Sequence, residues 1–261
     1  MSIYHHLSWG GLLCMALLFL SPAGADTILE LVTQSEGKTD PQTIYLAGDR
    51  LRMDVSDGLE KNSMLFDAKT NTLTMLDHQE KAYVEITEED ALKLHKGMQD
   101  MQQQMKARMQ EQMKGMSAEE RKAMEQMMSQ LGEGMLSEKP QRRIEATGQR
   151  QSVSGFDCDI VNLYKDGQQE QQWCITSPEA LGMTASEYQT FAALMAMLDK
   201  LAGDEAGTLT QIDGLPVRTV NYEEGEQQEI TALNNVRQEG VAAELFKVPA
   251  GYTRQDPFKQ N

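Results

Sequence analysis

Positive charge is the first thing this chain lacks. Lys and Arg number 24 against 40 Asp and Glu, and the formal net charge is −16 over 261 residues. Residues 1–25 carry none of these groups, so the whole deficit falls on residues 26–261. Nucleic acid as a partner is excluded, because phosphate binding needs clustered Lys and Arg. Docking by charge on anionic lipid headgroups is excluded for the same reason. Histidine is equally scarce. Past residue 25 only His78 and His95 remain. No G-x-S-x-G, H-E-x-x-H, phosphate-loop or dinucleotide glycine pattern occurs. With 40 acidic residues, any chosen carboxylate pair would be arbitrary. The expectation is a protein that is not an enzyme, with no catalytic residue and no cofactor. Past Leu20 no segment approaches eighteen consecutive apolar residues, so no further membrane span is expected and the mature chain should be soluble.

Cysteine is the third scarcity: Cys14, Cys158 and Cys174. Cys14 lies inside the apolar run Leu12–Leu20, which is about the length of a signal-peptide core and too short to span a bilayer. Ala23-Gly24-Ala25 is an A-x-A cleavage site, so residues 1–25 read as a signal peptide with Asp26 as the new N-terminus. Cys14 does not follow a small residue at the end of the run, which argues against lipid attachment. The expected location is the periplasm. Cys158 and Cys174 are then an even pair in an exported chain, a reading that favours one disulfide. Their midpoint is residue 166, inside the turn signal Lys165-Asp166-Gly167-Gln168. They are expected to face each other across one hairpin. C-x15-C is not the C-x-x-C of redox chemistry.

Alternation and turn residues place strands at Thr27–Gln34, Gln42–Leu46, Arg50–Val55, Ser63–Asp67, Thr72–Leu76 and Ala82–Ile86. The period then changes from 2 to 3.6. Thr87 reads as an N-cap, with Glu88, Glu89 and Asp90 in the first turn, where the helix dipole favours acids. The helical pattern runs to about Met116, and Ser117-Ala118-Glu119-Glu120 restarts it as a capping box. Gly132, Gly134 and Pro140 end it. Strands resume at Arg142–Gln149, Phe156–Tyr164 and Gln171–Thr176. Thr184-Ala185-Ser186-Glu187 is a second capping box, opening a helix whose Tyr188, Phe191, Ala192, Leu194, Met195, Leu198 and Leu201 mark it as core. Val217–Tyr222 and Glu229–Val236 complete the strands. The expected fold class is α+β: a curved antiparallel sheet forming a half-open barrel, with helices across its concave face. Residues 26–261 form one domain in this reading, and 88–136 are a Met-rich helical insertion between the two halves of the sheet.

That segment holds the most unusual pattern in the chain. Ten of the 18 methionines lie between Met98 and Met135. Met98, Met101, Met105, Met109, Met113 and Met116 fall on an arc of roughly 120° of one helix face. These six are the candidate ligand-binding residues. Methionine fills apolar positions on irregular surfaces, and Ala91 and Leu94 extend the same stripe upstream, as a packing face requires. A different chemistry uses the same residues. Thioethers are soft ligands suited to Cu(I) or Ag(I), and His95, Met98, Met101 and Met105 stand on adjacent turns.

The order of several short motifs resembles an uncharacterised exported family related to the outer-membrane lipoprotein-carrier (Lol) superfamily. The residues that carry the resemblance are Gly48-Asp49-Arg50-Leu51-Arg52-Met53, Asp67, Lys81-Ala82-Tyr83, Val153-Ser154-Gly155-Phe156-Asp157-Cys158, Trp173-Cys174, Asp213-Gly214-Leu215-Pro216-Val217, and the closing Leu245-Phe246 with Val248-Pro249-Ala250-Gly251-Tyr252. The resemblance implies the half-open barrel. In the characterised Lol carriers the concave face binds acyl chains, but no motif here carries that role residue by residue. The functional expectation is therefore an apolar ligand, either a lipid, a lipopeptide or a partner helix, held under the methionine stripe. It carries with it a cavity lined by Leu73, Met75, Val84 and Ile86. Cu(I)/Ag(I) binding and a structural module docking an envelope protein are the alternatives.

Overall fold

The computed structural model of the protein describes residues 25–57, 60–113, 117, 142–202 and 207–257. Twelve strands form one sheet. They are β1 (Asp26–Ser35), β2 (Lys38–Ala47), β3 (Arg50–Asp57), β4 (Glu60–Asp67), β5 (Thr72–Asp77), β6 (Ala82–Thr87), β7 (Arg142–Val153), β8 (Phe156–Lys165), β9 (Gln168–Thr176), β10 (Leu215–Glu223), β11 (Glu226–Glu239) and β12 (Thr253–Gln255). Helix α1 (Glu88–Met113) follows β6, and α2 (Ala185–Ala202) follows β9. The strand order is β12-β6-β5-β4-β3-β2-β1-β11-β10-β9-β8-β7. The sheet is thus two meanders zipped together along β1 and β11, and its two end strands do not pair with each other. It is curved and unclosed.

Turn chemistry explains the meanders. Glu36-Gly37, Ser154-Gly155, Asp166-Gly167 and Glu224-Gly225 all have positive φ at both positions. That is the two-residue turn whose twist matches the strands it joins. The sequence-based strands are all present, most of them one to four residues longer at an end. β12 is a correction to the all-antiparallel expectation. It pairs in parallel with β6 through Thr253–Ala82 and Gln255–Val84. Its three residues, Thr-Arg-Gln, carry no strand pattern of their own.

Both helices start as their caps dictate. The Thr87 hydroxyl accepts from the Asp90 amide at 3.2 Å, and Asp90 Oδ2 accepts from the Thr87 amide at 3.1 Å. At α2 the Thr184 hydroxyl accepts from the Glu187 amide at 3.3 Å, while Glu187 Oε2 accepts from the Thr184 amide at 2.8 Å. Glu187 is 1% exposed and also takes the amide and hydroxyl of Thr27 on β1, at 2.9 and 3.2 Å. A buried carboxylate is tolerable here because four donors and a helix N-terminus surround it. It fastens α2 to the first strand.

Cys158 and Cys174 form a disulfide, Cα–Cα 5.2 Å. They do not face each other directly, as the midpoint argument expects. A bulge between Leu163 and Tyr164 shifts the register, Cys174 lies opposite Ile160, and the bridge runs diagonally across the hairpin.

Residues 1–24, including nearly all of the expected signal peptide, lie outside the described residues, as do 118–141 with the second helical stretch and its methionines. Among the described residues no helix is long and apolar enough to cross a membrane.

Candidate functional site

The face of the sheet that carries the helices is built from two adjacent rungs. The inner rung runs Thr27, Leu46, Leu51, Phe66, Leu73 and Ile86, each directly opposite the next on neighbouring strands. Its members from Thr27 to Leu73 are buried, and Leu194 and Met197 of α2 belong to the same core. The outer rung runs Leu29, Ile44, Met53, Met64, Met75 and Val84 in the same register. Here burial decreases from Leu29 to Met75 and recovers at the half-buried Val84. Leu29 and Ile44 are buried, Met53 and Met64 half-buried, and Met75 is 43% exposed.

The expected cavity lining of Leu73, Met75, Val84 and Ile86 is therefore corrected. Leu73 and Ile86 belong to the inner rung and Met75 and Val84 to the outer one. Leu73 is sealed in the core while Met75 meets solvent. The reason is that Ala91 at the start of α1, together with α2, fills the space above the inner rung.

Helix α1 is held at its first turn. Glu88 takes an ion pair from Lys200 of α2 and a hydrogen bond from Asn71 Nδ2 at 2.9 Å. Both draw its pKa below the usual carboxylate range, Lys200 most. Asp90 is lowered as well, chiefly by the Thr87 hydroxyl. Along the stripe Ala91 is fully buried, Leu94 and Met105 are half-buried, and Met101 is 59% exposed. His95, Met98, Met109 and Met113 lie on the helix backbone, but their side chains are outside the described set; Met116 lies outside the described residues altogether. Leu92, off the stripe, is 57% exposed.

A second apolar feature escaped the reading of the sequence. Trp173, Tyr188, Phe191, Met195, Leu209 and Pro216 enclose a pocket of about 70 Å³ between α2 and the start of β10. This is room for one side chain and far below the several hundred Å³ of a lipid or drug site. Its signal was present: Tyr188, Phe191, Ala192 and Met195 form their own helical stripe beside Glu187, Thr190, Leu194 and Met197, the stripe that is buried. The Tyr188 hydroxyl accepts from the Gly214 amide at 3.0 Å and donates to Asp213 at 3.1 Å. Burial pushes its pKa up, and Asp213 adds to the shift.

The opposite face of β3–β5 carries a partly buried polar chain, centred on the buried Arg52 and Ser63. Arg52 donates to Asp54 at 2.7 Å, to Ser63 at 2.9 Å and to the Leu245 carbonyl at 2.8 Å. Ser63 Oγ and His78 Nε2 are 2.6 Å apart, and His78 Nδ1 and the Tyr252 hydroxyl are also 2.6 Å apart. Ser63 donates to Asp54 at 2.6 Å. Two of these contacts reach the C-terminal segment, so the chain works as a clamp that lays that segment across the sheet.

The outer methionine rung was also legible without being read. Met53 and Met64 are centred on the β3–β4 turn, and Met64 and Met75 on the β4–β5 turn.

No curated protein matches the sequence. The fold is similar to that of PNGF-II (TM-score 0.43, 8% identity, covering 89% of this chain and 31% of that one). It is also similar to an uncharacterized conserved protein from Thermus thermophilus (TM-score 0.44, 9% identity, covering 89% and 91%). The third is the MucA/MucB complex of Pseudomonas aeruginosa (TM-score 0.37, 10% identity, covering 87% and 57%). The chain spans about a third of the length of PNGF-II. A family model described as a domain of unknown function, DUF4412, matches residues 89–252, more than half of the chain.

Proposed function

The chain belongs to the DUF4412 family, a domain of unknown function, and we propose that it is an exported, periplasmic, non-catalytic binding protein for an apolar ligand. One observation carries this reading. Among the described residues the large apolar side chains left exposed are Met75, Leu92 and Met101, one on the open outer rung and two on α1. Single exposed apolar side chains are ordinary on a protein surface, but Met75 sits in a contiguous apolar row with Met53, Met64 and Val84, and an apolar patch of that kind marks a binding surface. The outer rung gives an apolar row with three methionines, and unbranched thioethers adapt to ligands of irregular shape. A lipid, a lipopeptide or an amphipathic partner helix has the matching chemistry. The Cys158–Cys174 bridge supports export, because disulfides persist in oxidising compartments.

The test is native mass spectrometry of the full exported chain purified from its own envelope, beside the double variant Met64→Asp, Met75→Asp. The expected result is an apolar adduct on the wild type that the variant releases. A wild-type protein that carries only its own mass, and that fails to bind a fluorescent fatty acid or a lipopeptide, overturns the reading.

A further inference from the structure

Every methionine on a described strand falls in one rung. Met53, Met64 and Met75 occupy three successive strands, directly opposite one another, on one face of the sheet. We propose that these three thioethers form a binding site for Cu(I), or for its redox-silent analogue Ag(I).

Neighbouring strands lie about 4.8 Å apart, and directly opposed Cβ atoms are about 5 Å apart. A methionine sulfur sits at the end of an unbranched chain with three rotatable bonds. From the two flanking strands Met53 and Met75 can reach toward Met64, so that three sulfurs meet one ion above the central strand. Three neutral soft donors suit a monovalent soft cation and are poor ligands for Mg²⁺, Ca²⁺ or Zn²⁺.

The surroundings fit. Ile44 and Val84 close the row on either side, so the rung itself contains no ammonium, guanidinium or carboxylate to compete. Met53 and Met64 are half-buried, which shields the ion from water, while Met75 is 43% exposed and leaves an entry. Met53 and Met64 also pack against the main core, so packing and thioether chemistry share these positions. The adjoining inner rung, buried from Leu51 to Leu73, uses Leu and Phe. The net charge of −16 raises the local concentration of cations. No donor has to lose a proton, so binding is insensitive to pH across the range in which an imidazole titrates. That separates this site from one built on His95. It shares the open rung with the apolar surface proposed above but does not depend on an apolar ligand being held there.

The experiment is Ag(I) titration of the full exported chain with its disulfide intact, followed by native mass spectrometry and calorimetry at pH 5 and pH 7. Two variants are compared with wild type: Met53→Leu, Met64→Leu, Met75→Leu, and Met98→Leu, Met101→Leu, Met105→Leu. Leucine removes sulfur while keeping volume and apolarity. The expected result is one Ag(I) equivalent that disappears in the sheet variant, persists in the helix variant, and has the same affinity at both pH values. The exposed single change Met75→Leu, which has little to do with folding, is expected to weaken binding by about tenfold through loss of one donor in three. Retention of the full equivalent by the sheet variant, or no uptake by wild type, overturns the proposal. The leucine variant still presents an apolar rung, so its binding of a fatty acid or lipopeptide reports on the apolar reading separately.

Discussion

Gly214 is a residue that no other can replace. Its φ is +129°, and a Cβ there would stand 2.5 Å from the Thr176 carbonyl oxygen and 2.6 Å from Ile175 Cγ2. Both obstacles belong to the neighbouring strand β9: one is its backbone, which cannot swing aside, and the other is a methyl of the buried Ile175, which has little room to turn. The amide of Gly214 also donates to Tyr188, which borders the small apolar pocket. Gly214→Ala is expected to cost about 3 kcal/mol, the sum of forbidden backbone and close contact. Urea denaturation checks it, and a loss below about 1 kcal/mol would mean that the strand moves freely. The sequence marks this glycine only as part of Asp213-Gly214-Leu215-Pro216. Its necessity comes from β9, which is paired with β10 across the 3-10 turns and α2 that separate them in sequence, and no local pattern reports that approach.

Among the elements, α1 is fastened at its start by charge. Its first turn is secured by Glu88 on Lys200 and Asn71, and by Asp90 on Thr87. Both carboxylates are held below their usual range in the folded chain. The stability they contribute is complete above the ordinary carboxylate pKa and is lost as pH falls through the lowered folded values. Acidification below about pH 4 is therefore expected to loosen α1 before the sheet. Hydrogen exchange resolved along the chain checks this: peptides covering 88–113 should lose protection at a higher pH than those from β1–β5. Equal acid sensitivity in both would place the anchor of α1 elsewhere. This capping was legible in advance, because caps are local: Thr87 with Asp90 and Thr184 with Glu187 announce both helix starts. The additional bonds from Glu187 to Thr27 were not, since their partners are 160 residues apart. β12 was missed for the same reason. Three polar residues become a strand only because the clamp through Arg52, His78 and Tyr252 delivers them to the edge of β6.

At the scale of the whole molecule, the two meanders share one sheet and one main core that runs from Leu29 and Phe66 to Ile160, Cys174 and Val217. They should unfold together. Reducing the disulfide, which spans a sequence separation of 16, is expected to lower stability by about 3 kcal/mol through loop entropy in the unfolded chain. Because the sheet is continuous, that loss should be felt in both halves. Fluorescence of Trp173, on β9, and far-UV circular dichroism of the whole chain are expected to give one common urea midpoint before and after reduction. Separate midpoints would mean two independent units. The strand content and its division around residues 88–141 were read from alternation and turns. The zipping of β1 to β11 was not, because hydrophobic alternation tells which face a residue occupies and says nothing about which strand lies beside it.

The seam between β1 and β11 also sets an order in time. A chain made from its N-terminus can complete the meander β1–β6 early, through turns of two to four residues. β1 must then wait, with its outer edge unpaired, until residues 226–239 have been made. That edge belongs to a strand containing Ile28-Leu29-Glu30-Leu31-Val32, an apolar run of the kind that pairs with whatever edge it meets. Until that strand arrives, the 10 residues of β1 present an unpaired apolar edge, whether the chain is emerging from the ribosome or from the export channel, and almost the last strand of the sheet is the one that covers it.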